Sequence, residues 1–349
     1  MTTKNKGTAA FVSLAALVAL SACSTTGART ADTAAESGVP AASGEERSIV
    51  NVVKLSGGDW FNRMQVGNEE YAEEHGIKVT QTAGDDASEE KQIAIINDLI
   101  AQKPSAMTII PNSPESLENV IQRAKQAGIV IVTGEAAGMN GVDADIEAFV
   151  NQDYGAHQLD QLATCMGDAG GQYAHFVGSL TVKSHNEWAD GATEHLKDYP
   201  NITSIGERVS SDESQETAYQ RTKEILARYP DIKGFIGSAS TDVAGIGRAI
   251  QEAGKQDQTC VVGTSTPAIV GTLIDDGSVD VITGWDPALQ GKAMLAAAEI
   301  ILDGGSIADG ADLGVPGYEK VSQDKESPTT FYGNAWIDIT KETTKDYSF

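Results

Sequence analysis

The chain has 349 residues, enough for two domains of ordinary size, each with its own core. Its 25 basic and 50 acidic side chains give a formal charge of -25. That balance argues against nucleic acid as a partner, because phosphate contacts need basic stripes.

The first residues read as an export signal. Lys4 and Lys6 precede an apolar run over residues 9–20, which is too short to span a bilayer. The run ends in Leu20-Ser21-Ala22-Cys23. A leucine, two small residues and a cysteine at this place resemble the bacterial lipobox, which implies a signal peptide over 1–22 and lipidation of Cys23. Residues 24–47 are mostly Ser, Thr, Ala and Gly with scattered charge, a composition that cannot bury a core, so 23–47 reads as a lipidated tether. The body is then expected outside the cell membrane or in the periplasm, held by lipid rather than by a helix.

A regular alternation starts at Ile49. Strands are expected over 49–54, 78–82, 106–110 and 129–133, and helices over 60–75, 88–101 and from Pro114. The third helix carries Leu117, Val120, Ile121 and Ala124 at the i, i+3, i+4, i+7 spacing of one buried face. The pattern breaks over 134–148 and then restarts. Helices are expected over 153–166, 185–199, 213–229 and 242–253, and strands over 173–177, 202–209, 234–237 and 259–263. The run LKDYPNI at 196–202 recurs as LARYPDI at 226–232, one strand-helix period later. Continuous apolar strands between amphipathic helices predict an α/β fold of parallel sheets covered on both faces, in two doubly wound lobes. The tail from Asp309 has loop composition with one short strand over 336–338.

Near the end of the regular pattern, twice, a strand runs into small polar residues and a capped helix: 261–263 before Thr266-Pro267, and 279–283 before Asp286-Pro287. In open α/β sheets ligands bind outside the carboxyl ends of the strands. The candidate binding residues are therefore those at strand ends: Lys54, Asp59, Trp60 and Phe61 after the first strand, and Glu135 after the fourth. Ser184, His185 and Trp188 follow in the second half, with Ser184 read as a helix cap. Ser238, Ser240 and Thr241 come next, then Ser265, Trp285 and Asp286. An indole face beside carboxylates and hydroxyls suits a small polyhydroxylated molecule. No H-E-x-x-H, G-x-S-x-G, G-x-G-x-x-G or phosphate-cradling loop occurs, so no metal, cofactor or catalytic residue is expected. Cys165 and Cys260 fall at the same edge of a βα fold, which leaves open both a disulfide and two buried thiols.

Together these residues resemble the periplasmic sugar-binding proteins of ABC importers, the ribose- and galactose-binding type. Within that type the chain looks most like the autoinducer-2-binding and rhamnose-binding subgroup. The resemblance rests on Val53-Lys54-Leu55, Thr181-Val182 with Asn186 and Trp188, Gly263 with Ser265-Thr266-Pro267, Gly284-Trp285-Asp286 with Gln290-Gly291-Lys292, and Lys345-Asp346-Tyr347-Ser348-Phe349. It implies two lobes closing on a ligand about a three-segment hinge. The N-terminal lobe would comprise 48–137 and 285–314, the C-terminal lobe 150–283 and 318–349, and the crossovers 138–149, 283–285 and 314–317. It also implies a monomer that delivers a small sugar, polyol or sugar-like signal to the permease subunits of an ABC transporter. Autoinducer-2 receptors carry an aspartate where this chain has Glu135, an Asp-Gln pair where it has Ser184-His185, and Pro-Asp-Ala where it has Ser238-Ala239-Ser240. Those departures favour a different sugar or polyol over autoinducer-2, and a sugar-processing enzyme on the same scaffold is the other alternative.

Overall fold

A computed structural model describes residues 47–347 and 349. The export signal, the Cys23 anchor and the tether up to residue 46 lie outside the described residues. The chain runs β1 (Ser48–Val52), α1 (Asp59–His75), β2 (Lys78–Thr82), α2 (Glu89–Gln102), β3 (Ala106–Ile109), α3 (Pro114–Gln126), β4 (Val130–Thr133) and β5 (Ala144–Glu147). It continues with α4 (Asn151–Met166), β6 (Gly171–Val177), α5 (Lys183–His195), β7 (Ile202–Ser210), α6 (Gln215–Arg228), β8 (Gly234–Gly237), α7 (Ser240–Ala253) and β9 (Cys260–Thr264). The last elements are α8 (Pro267–Val270), β10 (Val281–Gly284), α9 (Pro287–Leu302), β11 (Ser322–Gln323), β12 (Thr330–Tyr332) and β13 (Ile337–Thr340).

Two sheets result. The first has the order β11-β12-β5-β4-β3-β1-β2 and the second β13-β10-β9-β8-β6-β7. Every pairing is parallel except β11 with β12 and β13 with β10. All four residues of β3 and of β8 are buried, as strands covered on both faces must be. The helices are set by their caps. Ser88 and Ser113 accept the first free amides of α2 and α3, and Pro114 opens α3. Leu117, Val120, Ile121 and Ala124 of α3 are buried, as their spacing predicts. Two helix pairs approach unusually closely. A Cβ on Gly67 of α1 would collide with the backbone of Ala288 in α9, and one on Gly155 of α4 with the Trp188 carbonyl in α5. Glycine at these two crossings is a packing requirement.

Strand pairing departs from the expected segmentation in two places. Residues 138–149 were expected as a crossover, yet β5 within them pairs β4 and β12 and completes the first sheet. Residues 318–349 were expected in the second lobe, but β11 and β12 belong to the first sheet and only β13 to the second. The chain therefore last passes between sheets at 333–336 rather than 314–317. These strands are two to four residues long and carry polar residues, so they lack a readable hydrophobic period. Between Gly284 and Pro287 the chain leaves the second sheet, and α9 packs on α1 and on β3, β4 and β5. Cys165, near the end of α4, and Cys260, at the start of β9, form a disulfide with Cα atoms 6.0 Å apart.

Candidate functional site

The loops that follow the strands of both sheets meet at one cavity. It is lined by Lys54, Trp60, Phe61, Glu135, His185, Trp188, Glu213, Ser238, Ala239, Ser240, Thr264 and Trp285. The space between them is only ≈ 20 Å³, so the two halves are closed on each other. Lys54 sits just past β1 and is 3% exposed. Its Nζ donates to Glu135 Oε2 at 2.7 Å and lies 3.7 Å from Glu213 Oε1. Glu135 comes from the loop after β4 and Glu213 from the loop after β7, so the lysine joins the two halves. Burial opposes charge on Lys54, but the two carboxylates outweigh it and its pKa is raised. Burial raises the Glu213 carboxyl, with Lys54 opposing. Both glutamates hold a left-handed backbone, each at φ 55°, a conformation non-glycine residues adopt at some cost.

The walls are aromatic. Trp60 and Trp285 meet edge to face with centroids 4.8 Å apart, and Phe149 stands edge-on to Trp285 at 5.2 Å. Two of the three wall indoles have their N–H occupied: Trp285 donates to Gln290 Oε1 and Trp188 to Asn151 Oδ1, each at 2.7 Å. These rings present π surface to the cavity and no free donor. His185 Nδ1 accepts the Gly178 amide at 3.1 Å, which leaves the ring proton on Nε2. Burial, reinforced by Lys54 and His175, holds the ring well below the usual histidine pKa, so it is neutral. Ser238 pairs with His175 Nε2 at 3.1 Å, and burial pulls His175 down to about 3. Thr264 shares a bond with the Tyr154 hydroxyl at 2.8 Å.

Not every candidate from the strand ends reaches this cavity. Lys54, Trp60, Phe61, Glu135, His185, Trp188, Ser238, Ser240 and Trp285 line it. Asp59 is exposed in the first turn of α1. Ser184 is buried in the first turn of α5, but the cap position is Val182 and no side chain caps the helix. Thr241 lies one residue too far along α7, and Ser265 turns away to donate to the Ser240 carbonyl at 2.9 Å, leaving Thr264 on the wall. Asp286 caps α9 through the Ala288 amide at 2.9 Å and grips Arg63 with both oxygens, at 2.8 and 2.6 Å. Of these five, Ser265 and Asp286 serve neighbouring backbone and a helix end rather than the cavity wall.

Glu213 was missed. Glu213 was expected to open a helix over 213–229, whereas the helix begins at Gln215 with Ser214 as its cap. The available signal was position: Glu213 follows β7 as Glu135 follows β4. Asp242 is a second buried acid of the same region. It accepts the Ala239 amide at 2.9 Å, and burial, opposed by bonds from Ser211 and from that amide, raises its pKa to about 7. Among the described residues, the one cluster with metal-ligand spacing is Cys165, Cys260 and Asp280, and its cysteines are spent in the disulfide. No helix among the described residues is long and apolar enough to cross a membrane.

The chain is similar to known proteins. The D-allose-binding periplasmic protein of Escherichia coli (strain K12) is 25% identical over 245 residues, covering 68% of this chain and 78% of that protein. The ribose import binding protein of Bacillus subtilis (strain 168) is 24% identical over 274 residues, covering 76% and 85%. Among solved structures, LsrB from Clostridium saccharobutylicum in complex with AI-2 superposes with a TM-score of 0.79 at 20% identity, over 86% of this chain and all of that one. A solute binding protein from Clostridium phytofermentas with bound L-rhamnose gives 0.79 at 20% identity, over 87% and 98%. At such identities the solved structures establish the two-lobed fold. The family model described as the periplasmic binding protein domain matches residues 49–306, and the chain belongs to that family.

Proposed function

We propose that this chain is the solute-binding component of an ABC importer. It captures a small sugar or polyol between its lobes and delivers it to a membrane permease. The observation that carries this reading is the buried Lys54-Glu135-Glu213 triad within walls of tryptophan and phenylalanine. Carboxylates and an ammonium hold hydroxyls by charge-assisted hydrogen bonds, and indole faces cover the apolar C–H surface of a sugar ring. Relatives named for D-allose and ribose support the ligand class. The family fold supports capture by closure of two lobes. Ser238 on the cavity wall meets His175, but burial holds that ring down to about 3, which makes it a poor base, and binding without turnover is the proposed role. Lys54, Trp60, Glu135, His185, Glu213 and Trp285 would make the principal contacts. The motif at Leu20–Cys23 supports anchoring through a lipid on Cys23.

Titration calorimetry tests the first part, with D-allose, D-ribose, L-rhamnose, pentitols and autoinducer-2 as probes. Binding by one class, weakened at least tenfold in Glu135→Gln, is the expected result; a charge-assisted bond is worth about that much. Binding unaffected by that change would move the site elsewhere. Fractionation of cells tests the anchor: Cys23→Ala should release the protein from the membrane fraction, and retention there would count against lipidation.

A further inference from the structure

The charges around the cavity do not balance. Lys54 faces two carboxylates, Glu135 takes its short bond, and His185 is neutral. The walls thus carry one positive and two negative groups when both glutamates are ionised. Glu213 Oε1 is buried and has no hydrogen-bond partner. Its nearest polar neighbours cannot supply one. Lys54 Nζ is 3.7 Å away, beyond bonding distance, and His185 Nδ1, at 3.9 Å, is itself an acceptor of the Gly178 amide. A buried acceptor left without a donor is costly, and the cost is removed by a donor from elsewhere.

Glu213 also forms part of a second, outer space of ≈ 290 Å³ that opens beside the cavity. Asp86, Asp212 and Glu213 line it, with Asn112, Ser179 and Thr181, and it has no basic side chain. Asn112 Oδ1, on that wall, is likewise buried without a partner. Both orphaned groups are acceptors, and both belong to residues that line this outer space. On the inner side, the rings of Trp60, Phe61, Trp188 and Trp285 offer π surface, which attracts cations.

Resting on the sugar or polyol reading above, we propose that the ligand also carries a protonated amine, as an amino sugar or amino polyol does. Its ammonium sits on Glu213 against the aromatic wall. A hydroxyl could fill the same hydrogen bond, but only an ammonium also neutralises the second carboxylate and gains from the rings.

The experiment compares matched pairs by titration calorimetry on the full chain: D-glucosamine with D-glucose, D-galactosamine with D-galactose, D-mannosamine with D-mannose, and 1-amino-1-deoxy pentitols with their parents. The expected result is at least one amino ligand binding tenfold or more tightly than its parent. In Glu213→Gln that ratio falls to about one. Circular dichroism and the melting temperature establish that the variant is folded, and should it not fold, the ratio in the parent protein decides alone. Parent sugars that bind more tightly than every amino counterpart overturn the proposal and leave the sugar-receptor reading standing. Silence from both members of every pair overturns the proposal, and the sugar-receptor reading falls with it only where D-allose, D-ribose and L-rhamnose are silent as well.

Discussion

Replacing Lys54 with methionine isolates what the buried triad contributes. Lys54 and Glu135 are 3% and 6% exposed, and Glu213 Oε1 is 3.7 Å from the ammonium. The variant leaves two carboxylates buried with no cation between them. Breaking a buried pair by removing one partner costs about 3–5 kcal/mol. For a folded unit of this size that is a drop of roughly 5–8 °C in melting temperature. The triple variant Lys54→Met, Glu135→Gln, Glu213→Gln removes the stranded charge as well, and isosteric replacement of a whole buried ion set is close to neutral. It should therefore recover most of the loss. Urea unfolding followed by tryptophan fluorescence measures both. A single variant within 1 kcal/mol of the parent, or a triple variant no more stable than the single, would refute the assignment of Lys54 as the ion that holds the two glutamates.

Other consequences are as direct. Asp286→Ala should lower stability by about 1–2 kcal/mol through loss of the α9 cap and leave ligand affinity within twofold, as seen by urea unfolding beside calorimetry. A large loss of affinity would return Asp286 to the site. The Cys165–Cys260 disulfide closes a separation of 95 residues, so the double alanine variant should lose about 4–5 kcal/mol in urea under oxidising conditions; equal stability would mean the bond is not formed in solution. Asp242 has a folded pKa of about 7, above its ordinary 3.8, so the folded state holds a proton that the unfolded chain releases. Its contribution to stability is present below pH 4 and is lost as pH rises from about 4 to 7. Asp242→Asn should flatten that slope, and an unchanged pH profile between those limits would contradict it.

Much of the scaffold was legible because its strands are continuous apolar runs between helices of period 3.6. β3 and β8 are buried along their whole length, and the α3 face of Leu117, Val120, Ile121 and Ala124 is buried as spaced. What escaped were β5, β11 and β12, whose short and partly polar segments are specified by their neighbours in the sheet rather than by a pattern of their own. The site was legible to the level of strand ends. Lys54, Glu135 and Trp285 could be found because the topology brings such ends together. Side-chain direction could not. Asp286 and Ser265 sit at the right ends but turn to a helix cap and a carbonyl, while Glu213 reaches the cavity only because its backbone is left-handed just before the helix cap. A residue's place along the chain constrains where its Cα falls, and the competition between caps, ion pairs and the cleft decides where its functional group goes.

The central claim is that the lobes close on a small polyhydroxylated ligand at Lys54, Glu135 and Glu213. A thermal-shift screen of the protein against pentoses, hexoses, deoxysugars, amino sugars, polyols and autoinducer-2 tests it most directly. A ligand that binds the folded state alone adds about 4 kcal/mol at a thousandfold excess over Kd, a shift of several degrees. Such a shift is expected with one ligand class, and a shift smaller by about a third or more in Glu135→Gln at the same concentration, because a tenfold weaker affinity leaves about 2.7 kcal/mol. No shift with any of these compounds, after unfolding and refolding to remove carried-over ligand, would contradict it.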